Sequence, residues 1–168
     1  MRIMMMTLET KTVGVKPTQL GSGQISGGID AMSTLLASDG TVLNALSDAE
    51  LDLQVLALVA CERKLVVDLL RHLTEVERRM LYARLGFTSL FAYATSHLHL
   101  SEDAAYRRIQ AARLLARFPV VERYLRLGAL NLTNLLVLQK ELTETNLEEL
   151  LEKAKFRSKR EVEHLAAT

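Results

Sequence analysis

The chain has 168 residues, 49% hydrophobic and 24% charged, which suits one soluble globular domain with a tail. At this size roughly two-thirds of the unfolded surface is buried on folding, so neither metal nor disulfide is required. Aromatic residues are 5% of the chain, tryptophan is absent, and glycine and proline number 8 and 2, a balance that argues against a β-sandwich or barrel. The single cysteine, Cys61, excludes an internal disulfide framework and a multi-cysteine zinc site. The formal net charge of +1 by itself gives no sign of a nucleic-acid partner.

No stretch approaches the roughly 18 consecutive apolar residues of a membrane span. The apolar run at 3–6 is too short for a signal-peptide core, so the expected compartment is the cytoplasm. Residues 1–46 contain Pro17 and the loose stretch Gly21-Ser22-Gly23-Gln24-Ile25-Ser26-Gly27-Gly28, with six of the eight glycines and no sustained apolar period. They read as a flexible N-terminal arm with at most one weak helical turn at 31–37.

A helical domain over 47–168 follows. Ser47-Asp48-Ala49-Glu50 is a capping box, in which hydroxyl and carboxylate satisfy free N–H groups at a helix start. Apolar residues then recur at Leu51, Val55, Leu58, Val59, Leu65, Val66, Leu69, Leu73, Val76 and Met80, a helical stripe that Gly86 ends. Thr74-Glu75-Val76-Glu77 repeats the capping pattern, which leaves open one long helix or two joined near Leu73. A short helix is expected over 88–98. Ser101 caps the next, with Glu102 and Asp103 placed favourably against its N-terminal dipole. Pro119 ends that helix and opens another, which Gly128 terminates. Thr133 is expected to cap a segment to 142, Thr143 one to 155, and the capping box Ser158-Lys159-Arg160-Glu161 a final helix. No period-2 run or Asn-Gly hairpin signal occurs. The predicted fold is all-α: a multi-helix bundle with one or two long N-terminal helices, a helix-turn-helix-like unit and short helices.

Charge is segregated along the chain. Residues 1–46 are neutral, 47–85 carry −1, and 129–168 carry −1. Residues 86–128 carry +3, and every cation there is arginine: 107, 108, 113, 117, 123 and 126. On a wheel of about 100° per residue, Ala105, Ile109, Ala112 and Ala116 share one side. Tyr106, Arg107, Gln110, Arg113 and Arg117 take the opposite arc, with Leu114 among them. Arg108 falls toward the apolar side and reads as a snorkelling or ion-paired structural arginine. A short helix, a turn at 99–101 and a helix with this polar face match a helix-turn-helix outline. Arginine suits it because the planar guanidinium grips phosphate or a guanine edge with two hydrogen bonds. Tyr106, Arg107, Gln110, Arg113 and Arg117, joined by Arg123 and Arg126, are the candidate contacts to duplex DNA. Against this, a charged helical face is commonly just solvated, the turn lacks glycine, and Glu102 and Asp103 repel phosphate.

No catalytic constellation, cofactor motif or metal-ligand set is visible. His97 and His99 are two apart and point away from each other on a helix, while His72 and His164 lack ligands at useful spacing. Cys61, among Val59, Ala60 and Glu62, reads as a small hydrophobe. Acidic residues such as Glu75 and Glu149 have i,i+4 partners in Arg79 and Lys153. A second reading needs no nucleic acid: the apolar stripe of 47–85 is wide enough to self-associate into a homo-oligomer or dock a partner helix.

Several motifs also occur in a recognisable order. They are Leu46-Ser47-Asp48-Ala49-Glu50-Leu51, then Leu85-Gly86-Phe87-Thr88-Ser89-Leu90-Phe91-Ala92-Tyr93, and then Leu100-Ser101-Glu102-Asp103-Ala104-Ala105-Tyr106-Arg107-Arg108-Ile109-Gln110-Ala111-Ala112-Arg113. Arg117-Phe118-Pro119-Val120-Val121, Gly128-Ala129-Leu130-Asn131-Leu132 and Ser158-Lys159-Arg160-Glu161-Val162-Glu163 follow. This order resembles the helical N-terminal region of bacterial HNH-endonuclease-type proteins, over about three-quarters of the chain. In that family the region precedes a His-Asn-His nuclease module. No such arrangement occurs here, so nuclease activity does not carry over. The resemblance implies a non-catalytic accessory module of a DNA-acting protein, and leaves open a stand-alone relative or a fragment of a nuclease.

Overall fold

The computed structural model describes residues 43–167; of the expected arm over 1–46, residues 1–42 lie outside the described residues. The regular structure of the described residues is all helical, without strands. The eight α-helices found between Asp48 and Ala166 belong to the unit that begins at Ala45.

Helix α1 spans Asp48–Arg78, 31 residues and about 46 Å at 1.5 Å per residue. Its capping box forms as expected: the Ser47 hydroxyl accepts from the Glu50 amide at 3.3 Å, and the Glu50 carboxylate accepts from the Ser47 amide at 2.8 Å. The helix does not break at Leu73. The Thr74 hydroxyl is aimed at two carbonyls instead of capping, Leu70 on its own helix and Ala112 across the interface, each at 3.1 Å. The chain turns at Met80, whose φ is 52°, into the single-turn α2 (Leu81–Arg84), and Gly86 follows at φ 86°.

The expected short helix at 88–98 is α3 (Leu90–Ala92), capped by Ser89, running directly into a π-helical turn over Tyr93–His97. There the Leu98 amide reaches the Tyr93 carbonyl five residues back, at 3.2 Å. The widened turn gathers the rings of Phe87, Tyr93 and His97 with centroids 5.1–5.7 Å apart. His99 at φ 53° leads into α4 (Glu102–Arg117), capped by Ser101. Helix α5 (Val121–Arg126) ends at Gly128, where φ is 68° and a Cβ would run into the Arg63 guanidinium. The positive φ favours glycine there, while the Arg63 side-chain end could shift aside.

Helix α6 (Leu132–Leu138) is capped by Asn131, not Thr133: its side chain accepts from the Asn134 amide at 2.8 Å. Thr143 and Asn146 bond reciprocally just before α7 (Leu147–Ala154), so the helix begins later than Thr143 suggests. Helix α8 (Lys159–Ala166) opens on the Ser158 capping box.

The core forms around α4. It buries Ala105, Ile109, Ala111, Ala112, Leu114 and Leu115, and packs on α1, α5 and α6. Val67, Leu70 and Leu73 of α1 meet it, with Leu135 and Leu138 of α6 and Val121, Tyr124 and Leu125 of α5. Two sequence assignments change. Leu114, placed on the polar arc, is buried, whereas Ala116 is exposed. In α1 the core face is Val67, Leu70 and Leu73, while Leu51, Val55, Leu58 and Leu65 remain exposed. Periodicity finds an apolar stripe, but only neighbouring elements decide which part of it is covered.

Leu70 is fully buried at the α1–α4 contact. Leu70→Ala leaves a cavity at the hub and is expected to destabilise the fold by about 3 kcal/mol, read as a lower urea midpoint at unchanged slope.

Candidate nucleic-acid interface

Helix α4 places four of the candidate residues in one row. Tyr106, Gln110, Arg113 and Arg117 follow at i, i+4, i+7 and i+11 along the side opposite its buried face, a stripe about 16 Å long. Tyr106 and Arg113 are exposed and Gln110 is half-buried. Tyr106, Gln110 and Arg113 line a cleft of about 260 Å³ with Glu77, Tyr82, Ser89 and Phe91. The row exists because the opposite face, rich in alanine and leucine, is fully committed to the core.

The cations are not bare. The Arg113 guanidinium grips Glu77 of α1 at 2.6 and 3.1 Å. That hydrogen bond raises its pKa above the usual arginine value. Arg107 pairs with Asp103 at 2.6 Å, one turn back on the same helix. Gln110 accepts from the Gln139 side chain at 3.2 Å, tying α4 to the residue after α6. Arg117 lies over the Phe118 ring, 4.6 Å from its centroid. Arg108 folds back to donate to the Ala104 carbonyl at 3.3 Å, and its Nε is buried without a partner.

Arg123 and Arg126 stand apart from this row, on α5. Arg126 bridges Glu122 at 2.8 Å and Asp68 of α1 at 2.9 Å; the bond to Glu122 is the main cause of its raised pKa. Arg71 reaches the same Glu122 at 3.8 Å. Arg123 lies over Tyr124 and 3.7 Å from Glu152 of α7. Glu152 accepts from the Tyr124 hydroxyl at 2.7 Å, which is the first cause of its lowered pKa. The structure therefore groups Tyr106, Gln110, Arg113 and Arg117, sets Arg107 at their edge, and uses Arg126 to hold α5 against α1.

Sequence reasoning missed a second cationic element. Lys153-Ala154-Lys155-Phe156-Arg157-Ser158-Lys159-Arg160 holds five cations and no acid. Charge counted over 129–168 hid it beneath seven carboxylates. The run itself was the available signal.

Among the described residues no group of three or more His, Cys, Asp or Glu side chains converges as a metal site. No described helix is long and apolar enough to cross a membrane. Cys61 is a half-exposed free thiol on α1. Compared with known proteins, the chain matches no family model, no curated protein and no solved structure.

The end of α1 beside this cleft carries a tight exposed ion cluster, with Glu75 accepting from Arg78 at 2.6 and 2.7 Å and from Arg79. These bonds, Arg78 first, draw the Glu75 carboxyl from 4.5 down to about 2. The folded value lies below the unfolded one. The cluster's contribution is thus complete above pH 4.5 and lost as pH falls toward 2. Carbon-detected NMR is expected to place the Glu75 midpoint near 2, and Arg78→Gln to move it upward.

Proposed function

We propose that this chain is a non-catalytic helical module that binds duplex DNA along the exposed row of α4. The observation that carries this reading is the single stripe Tyr106, Gln110, Arg113, Arg117, with Arg107 at its edge. It displays an aromatic ring, an amide and guanidinium groups along one side of a helix, the chemistry that meets phosphates and base edges in a groove. The order of a helical segment at 90–97, a turn at 98–101 and α4 is the one that a helix-turn-helix reading expects. The resemblance of residues 47–167 to the accessory region of HNH-endonuclease-type proteins points the same way.

The internal ion pairs set the terms of binding. Arg107–Asp103 and Arg113–Glu77 are exposed pairs, and such pairs contribute about 0–1 kcal/mol each. A duplex phosphate can exchange for the carboxylate at little loss, while Glu77 and Asp103 weaken the field that draws DNA in. Modest affinity with strong salt dependence is the consequence.

Fluorescence anisotropy with a labelled duplex tests this. Binding is expected at about 50 mM salt, with log affinity falling by about 0.9 per phosphate contacted as log salt rises. Arg107→Gln/Arg113→Gln/Arg117→Gln is expected to abolish it, and Glu77→Gln to strengthen it several-fold by releasing Arg113. A triple variant that binds like the parent sinks the reading.

A specific observation favours self-association as a second reading. Along the N-terminal half of α1, Leu51, Leu53, Val55, Leu56 and Leu58 remain 43–66% exposed on several sides of the helix. Single exposed apolar residues are ordinary, but a cluster of five on one helix marks an interaction surface. A second copy laid antiparallel with the two-fold axis near Ala57 sets Leu56 opposite Leu58, Val55 opposite Val59 and Glu50 opposite Lys64. Sedimentation is expected to show a concentration-dependent dimer that Leu53→Glu/Leu56→Glu disperses. A monomer at every concentration removes this reading.

A further inference from the structure

The loop between α7 and α8 displays an aromatic ring among cations and holds it there. Phe156 is 71% exposed, the highest value among the large hydrophobic residues described. Its φ is 56°, the left-handed region that costs a non-glycine residue strain. Two long-range bonds fix the loop in that conformation. The Phe156 amide donates to the Ala129 carbonyl at 2.8 Å, and the Asn134 side chain donates to the Arg157 carbonyl at 2.8 Å. Asn134 is itself only 2% exposed, so the anchor is rigid. The core has no use for the ring that this backbone presents.

The surroundings are cationic. Lys155 stands 6.0 Å from the Phe156 ring centroid. Lys153, Lys155 and Lys159 each have one exposed carboxylate partner, Glu149, Glu152 and Glu163. Arg157 and Arg160 form no ion pair within 4.0 Å among the described residues. The Lys155 ammonium thus stands beside a solvent-facing ring held by the backbone, and Arg157 and Arg160 follow it in the chain, Arg157 sharing a cleft with Glu149 and Glu161.

We propose that the 153–160 loop is a binding site for single-stranded nucleic acid, in which an unpaired base stacks on Phe156 while Arg157 and Arg160 hold the adjacent phosphates. One fixed ring suffices for this, because every base has a π-face and stacking requires no patterned donors. A membrane surface fits less well: interfacial anchoring takes an apolar face of several side chains, and this loop offers one. A base inside a duplex is already stacked, so the site selects unpaired strands. The inference stands apart from the α4 row, which uses other residues and another form of nucleic acid.

The test titrates the whole chain with a labelled oligothymidylate and, separately, with a blunt duplex. Phe156→Leu is expected to weaken oligothymidylate binding roughly tenfold and leave duplex binding unchanged. Arg157→Gln/Arg160→Gln is expected to weaken it further and to reduce the salt slope by about 0.7 per cation removed. Arg160→Gln alone, on an exposed side chain outside the two anchoring bonds, guards against a folding defect and is expected to retain the parent's circular dichroism. Unchanged oligothymidylate affinity in Phe156→Leu overturns the proposal. So does a Phe156→Leu loss confined to vesicles of phosphatidylcholine and phosphatidylserine. If Arg113→Gln/Arg117→Gln leaves duplex binding intact while Phe156→Leu weakens the single strand, the α4 reading fails and this one stands.

Discussion

Burial of the alanine- and leucine-rich side of α4 is the constraint on which the rest depends. Six of its sixteen residues are buried, and three of them are alanine, which lets α1, α5 and α6 approach closely. The Thr74 hydroxyl reaching the Ala112 carbonyl ties α1 to α4 at that contact. Once this side is committed, Tyr106 and Arg113 face solvent and the cleft beside Glu77, Gln110 meets Gln139, and Arg117 lies over Phe118. The candidate interface is the remainder of a packing solution.

The same packing determines the electrostatics. Asp68 and Glu77 are far apart on α1 in sequence terms, yet each meets an arginine brought by another helix, Arg126 and Arg113. The net +3 of segment 86–128 is therefore largely answered by acids from elsewhere in the fold. A positive segment becomes a surface of exchangeable ion pairs, and exposed pairs are weak enough to yield to phosphate. By contrast, Arg157 and Arg160 in the loop at 153–160 form no ion pair within 4.0 Å among the described residues, and the loop sets Phe156 in a strained, anchored backbone. Strain of that kind persists only where the surroundings hold it.

Much of the architecture was legible because helix ends are local chemistry. Ser47, Ser101 and Ser158 each accept the backbone N–H three residues on, and Gly86 and Gly128 adopt the positive φ that ends a segment. Misreadings arose where two local signals competed. Thr74 looked like a cap, but its hydroxyl is drawn to two carbonyls, one of them 38 residues away. Thr133 yielded to Asn131, whose side chain accepts from the Asn134 amide and begins α6 two residues earlier. Leu114 looked solvent-facing on a wheel because a wheel assumes one neighbour, and α4 has several.

By itself the sequence determined an all-helical chain, most of its helix starts and stops, and the polar row on α4. Those features rest on periodicity and on side chains that bond within one turn. Tertiary structure alone decided that α1 is continuous, which of its apolar residues are covered, and which carboxylate meets each arginine. It also decided that Phe156 faces water. These outcomes depend on contacts between residues distant in the chain, and no local pattern encodes the neighbour that will arrive.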